Sequence, residues 1–260
     1  MAVADGRLEA LFTGLAGHFV LLRVSYVRTN VPPSGYRERN STADRALDIL
    51  MMFTDDQPVI SGNAFAERLG VARSTAYRYL QSLVNTRFLE EAPGGGFRLG
   101  LRILEIARLA RRSYGLSEVA LPAMTALSKQ ARETVLLTRR AGDLVVCVDR
   151  VEASARAVRI SYERGSSLPL NAGASALILL AWSPAPEVRN LLATTRLQKF
   201  TPETLTSVDA IMTRLAKIRE NGYAVTRAEL DPDVFGIAAP IRDDNGQVVA
   251  AVTVAALASG

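Results

Sequence analysis

The feature that most constrains this chain is the stretch "AERLGVARSTAYRYLQSLV" at residues 66–84. Phe65, Ala66 and Leu69 fall on one face of a helix that stops at Gly70. A second helix, expected over Arg73 to Asn85, places Ala76, Tyr79, Leu80, Leu83 and Val84 on one face. That is the 3.6-residue period of an amphipathic helix. Its opposite face carries Ser74, Arg78, Gln81 and Asn85, flanked by Thr75 and Tyr77. Only Val71 and Ala72 separate the glycine from the second helix. Two helices joined this tightly must cross at a steep angle, and a third helix over 43–53 supplies the apolar surface they pack on. Ala46, Leu47, Ile49, Leu50 and Phe53 are expected to form that surface, and Asn63 to cap the short middle helix.

After this unit, "RFLEEAPGGGFRLG" reads as strand, glycine-rich turn and strand. The three helices and this hairpin make a winged helix-turn-helix. Charge points the same way. Residues 68–112 hold nine arginines against three glutamates, whereas the whole chain has a net charge of only +5. A local basic stripe on a nearly neutral chain suits a polyanion. A helix fits the major groove of DNA, and its N-terminal residues reach base edges. Arg73, Ser74, Thr75, Tyr77 and Arg78 are the candidate contacts on that helix. Arg78 has the fork geometry for a guanine. Arg98, in the second strand of the wing, is a candidate phosphate contact.

"LRILEIARLARRS" follows as a basic helix joining two domains. After Leu116 helices and strands alternate, with tight turns at Ala141-Gly142-Asp143 and Asp244-Asn245-Gly246. Such turns favour antiparallel neighbours and an α+β domain. "RAVRISY" is expected to be one of its strands, and "NAGAS" opens a buried helix. Exposed N–H groups at a helix start can hold a carboxylate. Small residues around that start leave room for a ligand, although tight helix–sheet packing also demands them. Domain boundaries are set at 41–100, 101–116 and 117–260. Residues 1–40 read as an extension without fixed structure or as a partner-binding amphipathic helix. His18 and Arg23 break its apolar run too often for a membrane span. It lacks the marks of a signal peptide.

Several functions are disfavoured by composition. The chain has one cysteine, Cys147, and one histidine, His18. No internal disulfide is possible, which fits a reducing compartment. A His/Cys zinc site needs about four clustered ligands, so neither metal nor cofactor is expected. Glu229, Asp231 and Asp233 are close together, but "ELDPDV" reads as a turn and not as a catalytic pair. An enzyme and a winged helix that binds protein are the two rival readings. Salt dependence separates the second from DNA binding.

The pieces "RALDIL", "AERLGVARSTAYRYLQSL", "FRLGLRILEI", "LPLNAGASALILLAW", "IRENGYAV" and "GIAAPIRDDNGQVVAAVTV" together resemble the IclR family of bacterial transcriptional regulators. The match runs from about Ser41 to Ala256. The resemblance implies a winged helix-turn-helix, a linker helix and a C-terminal GAF-like α+β effector-binding domain. It implies a cytoplasmic homodimer or tetramer on a double-stranded DNA operator, answering a small organic acid. The working reading is a repressor. By resemblance Arg45, at the start of the first helix, contacts the DNA backbone. The implied effector residues are Gly173, Ala174, Ser175, Thr226, Gly236, Thr253 and Ala255, with Cys147 nearby. Cys147 itself reads as a buried strand residue and not as a reactive thiol. The family often has Pro-Leu-His where this chain has Pro169-Leu170-Asn171, and Gly-Lys where it has Ala176-Leu177.

Overall fold

The computed structural model describes residues 41–152 and 162–257. Residues 1–40 and most of the expected strand "RAVRISY" lie outside them. The described residues form two compact units that part between Tyr114 and Gly115.

The N-terminal unit begins with α1 (Ser41–Met51), α2 (Gly62–Leu69) and α3 (Arg73–Asn85). Ile49, Ile60, Phe65, Leu69, Leu80, Leu83, Leu89 and Phe97 make its core. Leu47 is not part of it; the residue is 60% exposed. It lies two residues from Ile49, which on a helix is about 200° of rotation, so one of the two must face outward. The expected cap also moves. Ser61, with extended backbone angles, accepts a hydrogen bond from the Ala64 N–H, and α2 starts at Gly62. Asn63 is already inside the helix.

Gly70 ends α2 in the left-handed conformation, with φ at 63°. Its N–H and that of Val71 satisfy the last carbonyls of α2. Gly70 can take this shape without a Cβ penalty, so the chain turns at once into α3. The wing is an antiparallel pair, β1 (Leu89–Glu91) and β2 (Phe97–Leu99), joined through Gly94, Gly95 and Gly96. Ile60 bridges to Phe97 from the segment before α2. α4 (Arg102–Tyr114) follows, and its Leu101-side start, Leu104, Ile106 and Leu109 leave apolar surface exposed.

The C-terminal unit is one antiparallel sheet in the order β5-β4-β3-β8-β7-β6. Its strands are β3 (Thr134–Ala141), β4 (Leu144–Val151), β5 (Ser167–Leu168), β6 (Ala224–Arg227), β7 (Val234–Arg242) and β8 (Val248–Leu257). One face is covered by α5 (Leu116–Ala131) through Leu116, Met124 and Leu127. The other face is covered by α6 (Ala174–Ala181), α7 (Ala185–Thr194) and α8 (Val208–Asn221). Strand alternation feeds both cores: Ala250, Val252 and Val254 turn to the α5 side, Ala251 to the α6 side. α6 is buried at every position, because it lies between the sheet and α8. Its sequence, ASALILLA, is apolar all round, as that place requires.

Candidate functional site

The polar face of α3 is exposed. Arg73, Ser74 and Arg78 stand in solvent, Thr75 is half-buried, and Ala76, Leu80 and Leu83 anchor the helix from behind. Ala72 precedes the helix without a side-chain cap. The Thr75 N–H donates to the Ala72 carbonyl at 3.0 Å, whereas the N–H groups of Arg73 and Ser74 face an outside acceptor such as a phosphate oxygen. Tyr77 differs from its neighbours. It is 46% exposed, but its ring makes an edge contact with Phe97 of the wing, centroids 6.2 Å apart. A Cβ on Gly62 would lie 2.5 Å from the Tyr77 hydroxyl oxygen. Tyr77 thus ties α2, α3 and the wing together, and its hydroxyl lies against Gly62.

Two more candidates are engaged within the protein. Arg98 pairs with Glu90 across the wing at 3.1 Å. Arg45 lies 3.8 Å from Asp48 on α1. Both side chains are roughly half exposed, and such surface pairs contribute about 0–1 kcal/mol. A phosphate can therefore displace either partner.

The second site is a cavity of about 420 Å³, mouth included, where the start of α6 meets the sheet. Strand pairing builds its floor. Thr226 stands opposite Gly236, and Gly236 opposite Ala255. In the next row Thr253 faces Leu136. Gly236 keeps the floor low: a Cβ there would come 3.0 Å from the Thr226 hydroxyl and 3.5 Å from the Ala174 methyl. Gly173, Ala174 and Ser175 form the opposite wall. The Ser175 and Thr253 hydroxyls share a buried hydrogen bond of 2.7 Å that fixes α6 to β8.

Seven of the candidate effector residues line this one cavity: Gly173, Ala174, Ser175, Thr226, Gly236, Thr253 and Ala255. Cys147 does not. It stands opposite Thr138 on β3, one same-face step along the strand from Leu136, and is fully buried in the core. Burial pushes its thiol up to about 11, partly offset by Arg150. Asn171, where the family often has histidine, has a structural task. Its side-chain amide donates to the carbonyls of Gln198 and Leu205 and pins the loop before α8.

One wall of the cavity is acidic, which the sequence order does not announce. Glu229, Leu230 and Asp231 also line the cavity, with Tyr162 nearby. Glu229 is nearly buried, and its Oε2 accepts from the Gly173 N–H at 3.4 Å. Its Oε1 is 3.4 Å from the Arg214 guanidinium of α8. Burial raises the Glu229 carboxyl above the usual range, while Arg214 and the Gly173 N–H pull it down. Asp231 Oδ2 is buried without a hydrogen-bond partner among the described residues. The Tyr162 phenol is raised by burial and by the adjacent Asp231. "ELDPDV" was legible as a turn. Nothing local in it said that the turn delivers two carboxylates to the start of α6.

Among the described residues no group of His, Cys, Asp and Glu is arranged to hold a metal. No described helix is long and apolar enough to cross a membrane.

Comparison with known proteins bears on both sites. Residues 42–93 match the model of the IclR helix-turn-helix domain, and residues 109–259 match that of the bacterial transcriptional regulator IclR C-terminal domain. The HTH-type transcriptional regulator XynR of Escherichia coli is 30% identical over 84% of this chain and 86% of its own. The HTH-type transcriptional repressor AllR of Escherichia coli is 29% identical, over 81% and 78%. Among solved structures, an IclR homolog from Microbacterium hydrocarbonoxydans, complexed with 4-hydroxybenzoate, superimposes with a TM-score of 0.72. It is 26% identical, over 84% of this chain and 90% of that one. The Thermotoga maritima IclR gives 0.61 at 27% identity, over 85% and 89%.

Proposed function

Because this chain belongs to the IclR family of bacterial transcriptional regulators, we propose that α3 reads an operator and the cavity at the start of α6 senses a small organic acid. The chain is a DNA-binding regulator and not an enzyme. The finer reading is a cytoplasmic repressor whose DNA affinity the acid adjusts. The observation that carries the DNA half is the exposed polar face of α3, with Arg73, Ser74 and Arg78 in solvent above a buried Ala76-Leu80-Leu83 stripe. Arg78 reads a base edge; Arg73, Arg45 and Arg98 lie along phosphates; Tyr77 holds the wing in place.

The ligand half is supported by the cavity and by the Microbacterium homolog's complex with 4-hydroxybenzoate. In this chain an acid's carboxylate meets the N–H groups at the start of α6, above a floor of Gly236, Thr253 and Ala255. The protein acts as a homodimer or a tetramer. Exposed Leu47 and Met51 on α1, and Leu101, Leu104 and Leu109 around α4, are surfaces that a second copy can cover. An acid regulates such an assembly only by binding its DNA-competent and incompetent forms with different affinity.

The test is binding of the purified full-length protein to the DNA upstream of its own gene, titrated at two salt concentrations. Sequence-preferring binding that weakens steeply with salt supports the reading, since each neutralised phosphate releases a counterion. Salt-independent binding to another protein, with no preference for any DNA, refutes it.

A further inference from the structure

The seat that an acid effector needs is already in use. The Gly173 N–H at the start of α6 donates to Glu229 Oε2, at 3.4 Å. Glu229 reaches this place by a deliberate bend of the backbone. Ala228, just before it, adopts a left-handed φ of 54°, an unusual state for a residue with a Cβ. Four hydrogen bonds hold the bend. Ala228 N–H donates to Val234 O, and Val234 N–H to Asp231 O. Thr201 Oγ1 donates to Ala228 O, and Thr204 Oγ1 to Glu229 O. The bend thus turns a carboxylate inward, to a cavity wall, where an acidic side chain is otherwise out of place.

We propose that Glu229 is a tethered competitor of the effector: its carboxylate holds the Gly173 N–H, and an acid binds by taking that N–H from it. This inference rests on the acid-sensing reading of the cavity and names the residue that sets its response. A single helix start stabilises one anion well and two adjacent ones poorly. When the acid arrives, Glu229 therefore takes up a proton.

The charges that face Glu229 decide how this depends on pH. Arg214 of α8 favours its ionised form, and so does the Gly173 N–H. Burial and Glu203, from the segment before α8, favour the protonated form. Asp231 and Tyr162 share the cavity. An incoming carboxylate adds one more negative charge and raises Glu229 further. The sign follows: between Glu229's values without and with ligand, binding takes up a proton, and acid affinity falls as pH rises.

The experiment uses the full-length protein and two pairs of probes, acetate with acetamide and benzoate with benzamide, titrated by calorimetry from pH 5.5 to 8. Both acids are largely ionised across that range, and their slight protonation at its lower end weakens carboxylate binding there, so a rise in affinity toward low pH belongs to the protein. Wild-type affinity for the acids should rise toward low pH, up to about tenfold per unit at its steepest. In two buffers of different ionisation enthalpy, uptake should approach one proton per acid. Glu229→Gln should bind the acids at least about tenfold more tightly at pH 7.5 and lose the slope. The amides should show no slope in either protein.

Equal acid affinities and equal pH profiles in the two proteins would overturn the inference and leave the acid reading intact. Preference for the amides, with weaker binding in Glu229→Gln, would also overturn it, since Glu229 would then be a direct acceptor for a donor ligand. Failure of every acid to bind either protein would refute the acid reading and the inference with it. Proton uptake is measured on the wild type, so the test does not depend on the variant folding.

Discussion

Gly100→Ala tests how the wing is fastened to α3. A methyl on Gly100 would lie 2.3 Å from the Arg87 carbonyl oxygen, 2.9 Å from the Arg87 carbonyl carbon and 3.1 Å from that of Phe88. These are backbone atoms, so no side chain can swing aside. Reaching ordinary contact requires the two segments to part by about 1 Å. Two hydrogen bonds cross this junction, Gly100 N–H to Phe88 O at 2.8 Å and Arg102 N–H to Arg87 O at 3.3 Å. Overpacking costs about 1–3 kcal/mol. Weakening the two bonds costs about 0.5–1.5 kcal/mol each. The stiffer unfolded chain offsets about 0.4–1 kcal/mol. The net loss is about 3 kcal/mol. The assay is urea unfolding followed by two probes. Circular dichroism sees both units; the single tryptophan, Trp182, reports the C-terminal unit alone. The expected result is an early transition in circular dichroism with the Trp182 midpoint unchanged. A variant within about 0.5 kcal/mol of wild type would refute the closed junction. A Trp182 midpoint that moves as far as the dichroism would refute the assignment of the strain to the N-terminal unit.

Arg78→Ala should weaken operator binding by about 1–3 kcal/mol and leave the melting temperature unchanged; Arg98→Ala, whose guanidinium is shared with Glu90, should weaken it less. Fluorescence anisotropy on one operator fragment checks both, and an unaltered affinity in Arg78→Ala would remove α3 as the reading element. Thr253→Val leaves the buried Ser175 hydroxyl without its 2.7 Å partner, so thermal unfolding should show a loss of about 1–3 kcal/mol. Cys147 is fully buried with its thiol pushed up to about 11, so at pH 7 it is neutral. Alkylation should be negligible in the native protein and complete after denaturation; rapid native labelling would refute its place in the core.

Much of this architecture was legible because it depends on local rules. Gly70 and the apolar period of Ala76, Leu80 and Leu83 give α3 its residues 73–85 without reference to the rest of the chain. The errors in the same unit are also local. Ser61 and Asn63 are both good caps by residue type, and backbone angles two residues apart decide between them. Leu47 shares the composition of the core face but not its angle. The short helix α7 is not among the expected elements, because no apolar period marks it as strongly as those of its neighbours; its prolines fall at its start, Pro184 just before it and Pro186 in its first turn, where a missing N–H is tolerated.

The ligand cavity shows what sequence order hides. Its small residues announce themselves, because close approach of α6 to the sheet requires them wherever they fall. Its charged wall does not. Glu229 is 56 residues from Gly173 and comes to it only through the sheet edge, the Ala228 bend and the Thr201 and Thr204 clamps. A carboxylate in a turn is ordinarily a solvated one, so composition argues for the outside. What reverses that expectation is a third element: Arg214, reaching from α8 to Glu229 Oε1 and to the carbonyl of Val225. A buried carboxylate held by one half-exposed arginine and one N–H is held loosely enough to yield to a ligand. The same group packed against a second arginine would be a fixed part of the core.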